Sequence, residues 1–365
     1  MQHKVIFVGA QFRLNQPLFN YVLREVKQTL QTIDEMLFFD ENDKEIFLAL
    51  EAILQNPSKL LIVTSKNSFS SVGKMLCTLT SDTQIVKDDM LIPSLTEVFA
   101  PNSYLLKVND TLINTLQVEA SLPIPAILLD KVSETTIIQI FEQTEEDIRV
   151  LLLPLIESFD VSFKTSTLIS GWVLVEISAT VYGDIDGFIS SAKLLMPQKI
   201  IQTCNMMAYI IQKLNQSGKK LTCAESCTGG LISKMITSQS GSSAAFEGSL
   251  VTYSNEIKSS WLGVEETTLI AYGAVSHETV RSMSKGAKEV AIADYAIAIS
   301  GVAGPTGGTE EKPVGTVYLS VCTKKIHKSW HLKLQGDRNF IQEQSAYYAF
   351  KELLLSDKQL FFNLS

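Results

Sequence analysis

Three stretches of this 365-residue chain carry residue types that could do chemistry. The first is Ala224-Glu225-Ser226-Cys227-Thr228-Gly229-Gly230. Leu221, Cys223 and Ala224 read as the end of a short buried strand, and Leu231 to Ile236 resume with helical spacing. The glycine pair allows a tight turn between them, which lifts Ser226 off the strand and aims backbone N–H groups of the following helix at whatever approaches. A nucleophile beside an oxyanion site requires that arrangement. A helix start uses the same residue types, so Ser226 and Thr228 could equally be caps.

A serine hydroxyl needs a base within hydrogen-bond reach. None of the four histidines falls in the three stretches, which disfavours Ser-His-Asp chemistry there and leaves lysine as the next candidate. The second stretch, Val251-Thr252-Tyr253-Ser254-Asn255-Glu256-Ile257-Lys258, supplies one at a strand-to-helix junction, five residues after Tyr253. Both side chains could face the crevice at the strand ends. Lys258 serves as a base only if burial or neighbouring positive charge lowers its pKa well below about 10.4. The alternative is an exposed lysine on a helix. The Ser-X-X-Lys spacings at Ser71 to Lys74 and Ser282 to Lys285 read as chance.

The third stretch runs from Ser300-Gly301-Val302-Ala303-Gly304-Pro305-Thr306-Gly307-Gly308 through Thr309-Glu310-Glu311-Lys312-Pro313-Val314-Gly315-Thr316. It follows a strand at its carboxyl end, where α/β folds bind ligands, and its glycines let backbone amides approach an anion or a ribose. A flexible surface loop has the same composition.

Together the three stretches resemble the CinA carboxy-terminal domain family, over about Gln202 to Leu355. Family members are similar to nicotinamide-nucleotide amidases that use a Ser-Lys pair assisted by a tyrosine, and Ser226, Lys258 and Tyr253 match those positions. The resemblance implies hydrolysis of the carboxamide of nicotinamide mononucleotide to the acid and ammonia, in pyridine nucleotide salvage, with no metal and no organic cofactor. Ser226 would attack the amide carbon, Lys258 would carry the proton, and Tyr253 would orient the pair or relay the proton. Backbone N–H groups of Thr228, Gly229 and Gly230 would hold the oxyanion. Ser300, Gly301, Gly304, Gly307 and Gly308 would contact the substrate, and Arg338, in Gly336-Asp337-Arg338, would grip its phosphate. Arg338 also reads as an ordinary helix start capped by Asp337.

The elements that must position these residues form a three-layer α/β carboxy-terminal domain, 199–365. It opens with an amphipathic helix over 202–216 and continues with strands around 248–253, 294–300, 314–322 and 327–334, with helices over 256–262, 277–293 and 340–355. Before it, 147–198 reads as a small α+β linking subdomain, with a hydrophobic run at Val150 to Ile156, alternation over 161–164 and 172–179, and a turn at Gly183-Asp184-Ile185-Asp186-Gly187 too short for a calcium loop.

The amino-terminal region, 1–146, alternates strands (5–9, 35–39, 60–64) with helices (16–30, 43–54), the pattern of a parallel sheet covered by helices. Its order resembles the molybdopterin-binding-like amino-terminal domain of the CinA family, which in members hydrolyses ADP-ribose. Here Gly9-Ala10-Gln11 stands in place of the family's Gly-X-Glu, and Thr64-Ser65-Lys66-Asn67-Ser68-Phe69-Ser70-Ser71-Val72 in place of its glycine-rich turn with paired aspartates. The expectation is a catalytically silent packing or dimerisation module. An ADP-ribose pyrophosphatase, or a competence-associated regulatory protein without turnover, are the rival readings.

Composition sets outer limits. Hydrophobic content of 45% with 19% charged residues describes a globular protein, without a membrane-length apolar run. The opening Met1-Gln2-His3-Lys4 enters a strand directly, which favours a cytoplasmic location. Five scattered cysteines make neither a disulfide framework nor a zinc site. The net charge of −8 offers no broad footprint for nucleic acid. The expected partner is a small-molecule substrate, with a homodimer as the assembly.

Overall fold

A computed structural model describes residues 2–130, 135–180 and 182–362. Residues 1 and 131–134 of the expected amino-terminal region, 181 of the expected linking subdomain and 363–365 of the expected carboxy-terminal domain lie outside them. The chain divides into two compact units, 1–134 and 135–365.

The first unit is built on a six-stranded sheet. Strands Gln2–Val8, Glu35–Phe39, Ser58–Thr64 and Thr111–Gln117 pair in parallel, and Ser103–Val108 and Val98–Ala100 extend the sheet antiparallel. Every residue of the central strand Ser58–Thr64 is buried, as expected for a strand covered on both faces. Helices Gln16–Leu30 and Glu45–Ile53 follow the first two strands, in the alternation read from the pattern.

The second unit holds two sheets. A four-stranded antiparallel sheet contains Thr135–Phe141, Val161–Ile169, Trp172–Ala179 and Ile200–Gln202, so its first strand precedes residue 147. Helices Glu145–Phe159 and Ile185–Leu195 cover one face, where Ile148, Leu152, Phe188 and Ile189 pack on Ile138, Val173 and Val175. The opposite face turns Phe141, Ile169 and Trp172 into the core of the carboxy-terminal domain. There Phe141 meets Phe362 with ring centroids 5.3 Å apart, and Trp172 meets Tyr347 at 5.9 Å.

The five-stranded sheet runs in the order Phe246–Val251, Leu221–Glu225, Tyr295–Gly301, Thr316–Cys322, His327–Lys333. The first three are parallel and the last two antiparallel. Alternation along the buried strands feeds two cores. Cys223, Ile297 and Ile299 face helices Met206–Gln216, Leu231–Thr237 and Arg338–Ser356 on one side. Ala224 and Ala298 face helix His277–Ala291 through Val280, Met283 and Ala287 on the other. This is the three-layer arrangement expected from the pattern.

Two local readings change. The helix expected over 202–216 begins only at Met206, capped by Asn205, because Gln202 closes a short strand, Ile200–Gln202, whose Ile200 and Ile201 are buried at the edge of the small sheet. A helix, Glu266–Tyr272, occupies a segment to which the sequence pattern assigns no element; it buries none of its residues, so it carries no apolar stripe to be read.

Candidate active site

The nucleophile strand Leu221–Glu225 ends where its turn must leave the sheet plane. Gly229 and Gly230 adopt φ of 59° and 99°, a backbone region that disfavours side chains, and helix Leu231–Thr237 begins directly after. Glu225, the last strand residue, is fully buried, and its carboxylate lies under the turn. It accepts hydrogen bonds from the N–H groups of Gly230 (3.0 Å), Ile232 (3.0 Å) and Ser233 (2.9 Å), and from the hydroxyls of Thr228 (2.8 Å), Ser249 (3.2 Å) and Ser233. Placing a carboxylate in the interior costs several kcal/mol unless donors of this kind surround it, and the positive end of a helix adds to the compensation.

Glu225 had no signal in the sequence beyond its place between strand and serine. Its presence corrects the expected oxyanion set. The Gly230 N–H is taken by Glu225, and the Gly229 N–H donates to the Ser226 carbonyl at 3.1 Å. Neither the Cys227 nor the Thr228 N–H is among the donors to Glu225. Replacing Glu225 with alanine is expected to strand several buried donors and destabilise the carboxy-terminal domain by about 3 kcal/mol or more. Calorimetric melting checks it; an unshifted transition would show that the carboxylate does not hold the turn.

Ser226 is 8% exposed, and its N–H donates to the Ile299 carbonyl of the neighbouring strand. Its hydroxyl lies 3.2 Å from Lys258 Nζ, while the helix start is served by Glu225, so Ser226 is not the cap.

Lys258 belongs to helix Asn255–Leu262, whose start is capped by Ser254. It is 1% exposed, and Nζ also donates to the carbonyls of Thr252 (2.8 Å) and Tyr253 (3.3 Å). Burial lowers its pKa from the ordinary lysine value, against a weaker opposing effect of Cys227. Nζ donates to Ser226 Oγ as it does to the two carbonyls, and loss of the proton facing Ser226 would turn that contact into one the serine hydroxyl donates. Cys227, the other nucleophile within reach, is held as a thiol, because burial pushes its pKa up to about 12.

A cavity of about 210 Å³ opens over this pair, lined by Ser226, Cys227, Tyr253, Lys258, Ser300, Gly301, Ala303 and Arg338, with Ala274 and Val275 from the connection before helix His277–Ala291. Ser300 is buried and donates to the Ala274 carbonyl at 2.8 Å. Gly301 has no room for a Cβ, which would stand 2.7 Å from Val317 Cγ2 and 2.8 Å from the Thr316 carbonyl. Gly304 meets the site through its carbonyl, which accepts from Arg338 Nη1 at 2.8 Å. Gly307 and Gly308 are not among the cavity-lining residues; Gly308 instead lies against the Val314 backbone.

Two further expectations are refined. Tyr253 is 62% exposed, and its hydroxyl accepts from Arg338 Nη2 at 3.0 Å, so its carbonyl rather than its phenol touches Lys258. Arg338 opens helix Arg338–Ser356 with Asp337 as its cap, and the cap and cavity readings hold together. A second cavity, about 380 Å³, is lined by Lys285, Lys288, Glu289, Asp294, Cys322 and Lys324 among others; the thiol of Cys322 donates to the Thr323 carbonyl at 3.9 Å, and burial raises its pKa.

In the first unit, the crevice at the strand ends is spanned by Glu41, which accepts from Ser65 Oγ at 2.6 Å and Asn67 Nδ2 at 3.4 Å. Among the described residues, no group of three or more His, Cys, Asp or Glu is placed to hold a metal ion, and no helix is long and apolar enough to cross a membrane.

Fold and site define an α/β domain with a buried serine–lysine pair in a cavity at the carboxyl ends of parallel strands. The chain belongs to the CinA C-terminal domain family, whose pattern matches residues 204–356. It is 49% identical over 143 residues to nicotinamide-nucleotide amidohydrolase PncC of Shigella flexneri, a match covering 39% of this chain and 87% of that protein. PncC of Escherichia coli is 48% identical over the same length. A CinA-like protein of Thermotoga neapolitana is 45% identical over 148 residues, which cover 40% of this chain but only 36% of the relative's length.

Proposed function

We propose that residues 199–365 hydrolyse the carboxamide of nicotinamide mononucleotide to nicotinic acid mononucleotide and ammonia, a step of pyridine nucleotide salvage. The observation that carries this reading is the 3.2 Å approach of Lys258 Nζ to Ser226 Oγ, at a lysine whose pKa burial lowers. The PncC relatives support the substrate.

In this mechanism Ser226 Oγ bonds to the amide carbon as its proton passes to Lys258 Nζ, and the carbonyl electrons move onto oxygen. The N–H groups of Cys227 and Thr228, free of the Glu225 net, receive that oxyanion. Collapse breaks the C–N bond; Lys258 returns the proton to nitrogen, and ammonia leaves an acyl-enzyme on Ser226. Water then attacks with Lys258 as base, and the second collapse restores the serine hydroxyl and releases the acid. Tyr253 holds Lys258 through its carbonyl and braces Arg338 through its phenol. The amino-terminal unit takes no part; a cytoplasmic homodimer is the setting we assign.

Ammonia release from nicotinamide mononucleotide by the purified chain tests the reading, and absence of release with a folded protein would refute it. Arg338, already aimed by Gly304 and Tyr253, is assigned to the phosphate. Arg338→Ala is expected to lose about 1.5 to 3 kcal/mol, or roughly ten- to a hundredfold in apparent affinity. It should also erase most of the preference for the mononucleotide over the riboside. An unchanged ratio of catalytic efficiencies would take Arg338 off the phosphate.

A further inference from the structure

Gln342 lies one helical turn after Arg338, on the same face of helix Arg338–Ser356. Its Nε2 donates to the Cys227 carbonyl at 2.6 Å, across 115 positions of sequence. That carbonyl belongs to the Cys227–Thr228 peptide, and in a trans peptide the C=O and N–H point in opposite directions. Holding the carbonyl therefore holds the Thr228 N–H. The preceding peptide is pinned in the same manner, since the Ser226 carbonyl accepts from the Gly229 N–H at 3.1 Å, which orients the Cys227 N–H.

We propose that Gln342 is a positioning residue for the oxyanion site: it fixes the plane of the Cys227–Thr228 peptide, so that the Thr228 N–H stays aimed at the developing charge beside Ser226. A donor on the carbonyl also polarises the peptide and strengthens its N–H. Because Arg338 stands on the same helix and grips the Gly304 carbonyl and the Tyr253 phenol, a single helical turn joins the three motif stretches. The inference rests on Ser226 acting as nucleophile, as in the proposed function.

The experiment compares the parent chain with Gln342→Leu, which removes the donor at similar volume, and Gln342→Glu, which sets an acceptor against the carbonyl. Two readouts are taken: steady-state deamidation of nicotinamide mononucleotide across pH, and the rate at which a fluorophosphonate labels Ser226. In labelling, Ser226 Oγ bonds to phosphorus, fluoride departs, and the phosphoryl oxygen needs the same two N–H groups. The expected result is a ten- to hundredfold fall in kcat and in labelling rate for both variants. In Gln342→Leu, which adds no charge, KM should stay within about twofold and the pH profile unmoved, because neither the substrate contacts nor Lys258 is touched; the KM and pH readouts are taken on that variant alone. Gln342→Asn is expected to recover part of the loss.

A raised KM with parental kcat would make Gln342 a substrate contact, and a shifted pH profile would make it act through the base; either overturns the proposal, as does a parental labelling rate. If the parent labels at Ser226 but releases no ammonia, the substrate assignment fails, while the labelling rates still decide the role of Gln342. A parent that does neither overturns both.

Discussion

Ser226→Ala is expected to abolish deamidation, with a fall of roughly 10⁴-fold or more in kcat, while leaving the fold intact. The fold survives because the contacts that hold this position are backbone ones: the N–H to the Ile299 carbonyl and the carbonyl from the Gly229 N–H. The lost hydroxyl touches Lys258, not the start of helix Leu231–Thr237, which is served by Glu225. Single-turnover ammonia release and thermal melting, measured together, check it. A folded variant with near-parental turnover would remove Ser226 from the reaction.

Lys258 should set the pH dependence. Its proton must be absent for it to accept one from Ser226, so kcat/KM is expected to rise with pH through the lowered Lys258 pKa and level off above it. Lys258→Met and Lys258→Arg should each lose about 10²- to 10⁴-fold, since one removes the base and the other cannot be deprotonated. Both should lose the rising limb. Persistence of that limb in Lys258→Met would assign it to another group.

Stability follows the same titration with a definite sign. The folded pKa lies below the ordinary 10.5, so the unfolded chain binds more protons between the two values. The penalty for burying the ammonium is present at pH below the lowered value and relieved as pH rises toward 10.5.

What could be read from the sequence was what is local. Ser226 and Lys258 each stand in a short strand-to-helix junction whose residues announce both the turn and the chemistry. The alternating burial that builds both cores is also written along the strands. Glu225 escaped because a carboxylate beside a serine looks like any polar residue until the turn folds over it and presents its donors. Gln342 escaped because its partner carbonyl is 115 positions away and belongs to the backbone, which has no side chain to reveal it. The resemblance puts Gly229 and Gly230 among the oxyanion donors. Their N–H groups proved to be committed within the turn, and that is a property of geometry alone.

The shared core between the small antiparallel sheet and the carboxy-terminal domain bears on where the chain can be divided. Phe141, Ile169 and Trp172 pack among residues of helix Arg338–Ser356 and the segment after it, so the small sheet is expected to melt with the domain as one cooperative block rather than as a hinge or tether. Cutting at residue 199 would bare an aromatic face that includes Tyr347 and Phe362, a surface prone to self-association. A minimal form of the carboxy-terminal domain would have to begin ahead of Thr135, or repaint that face with polar residues.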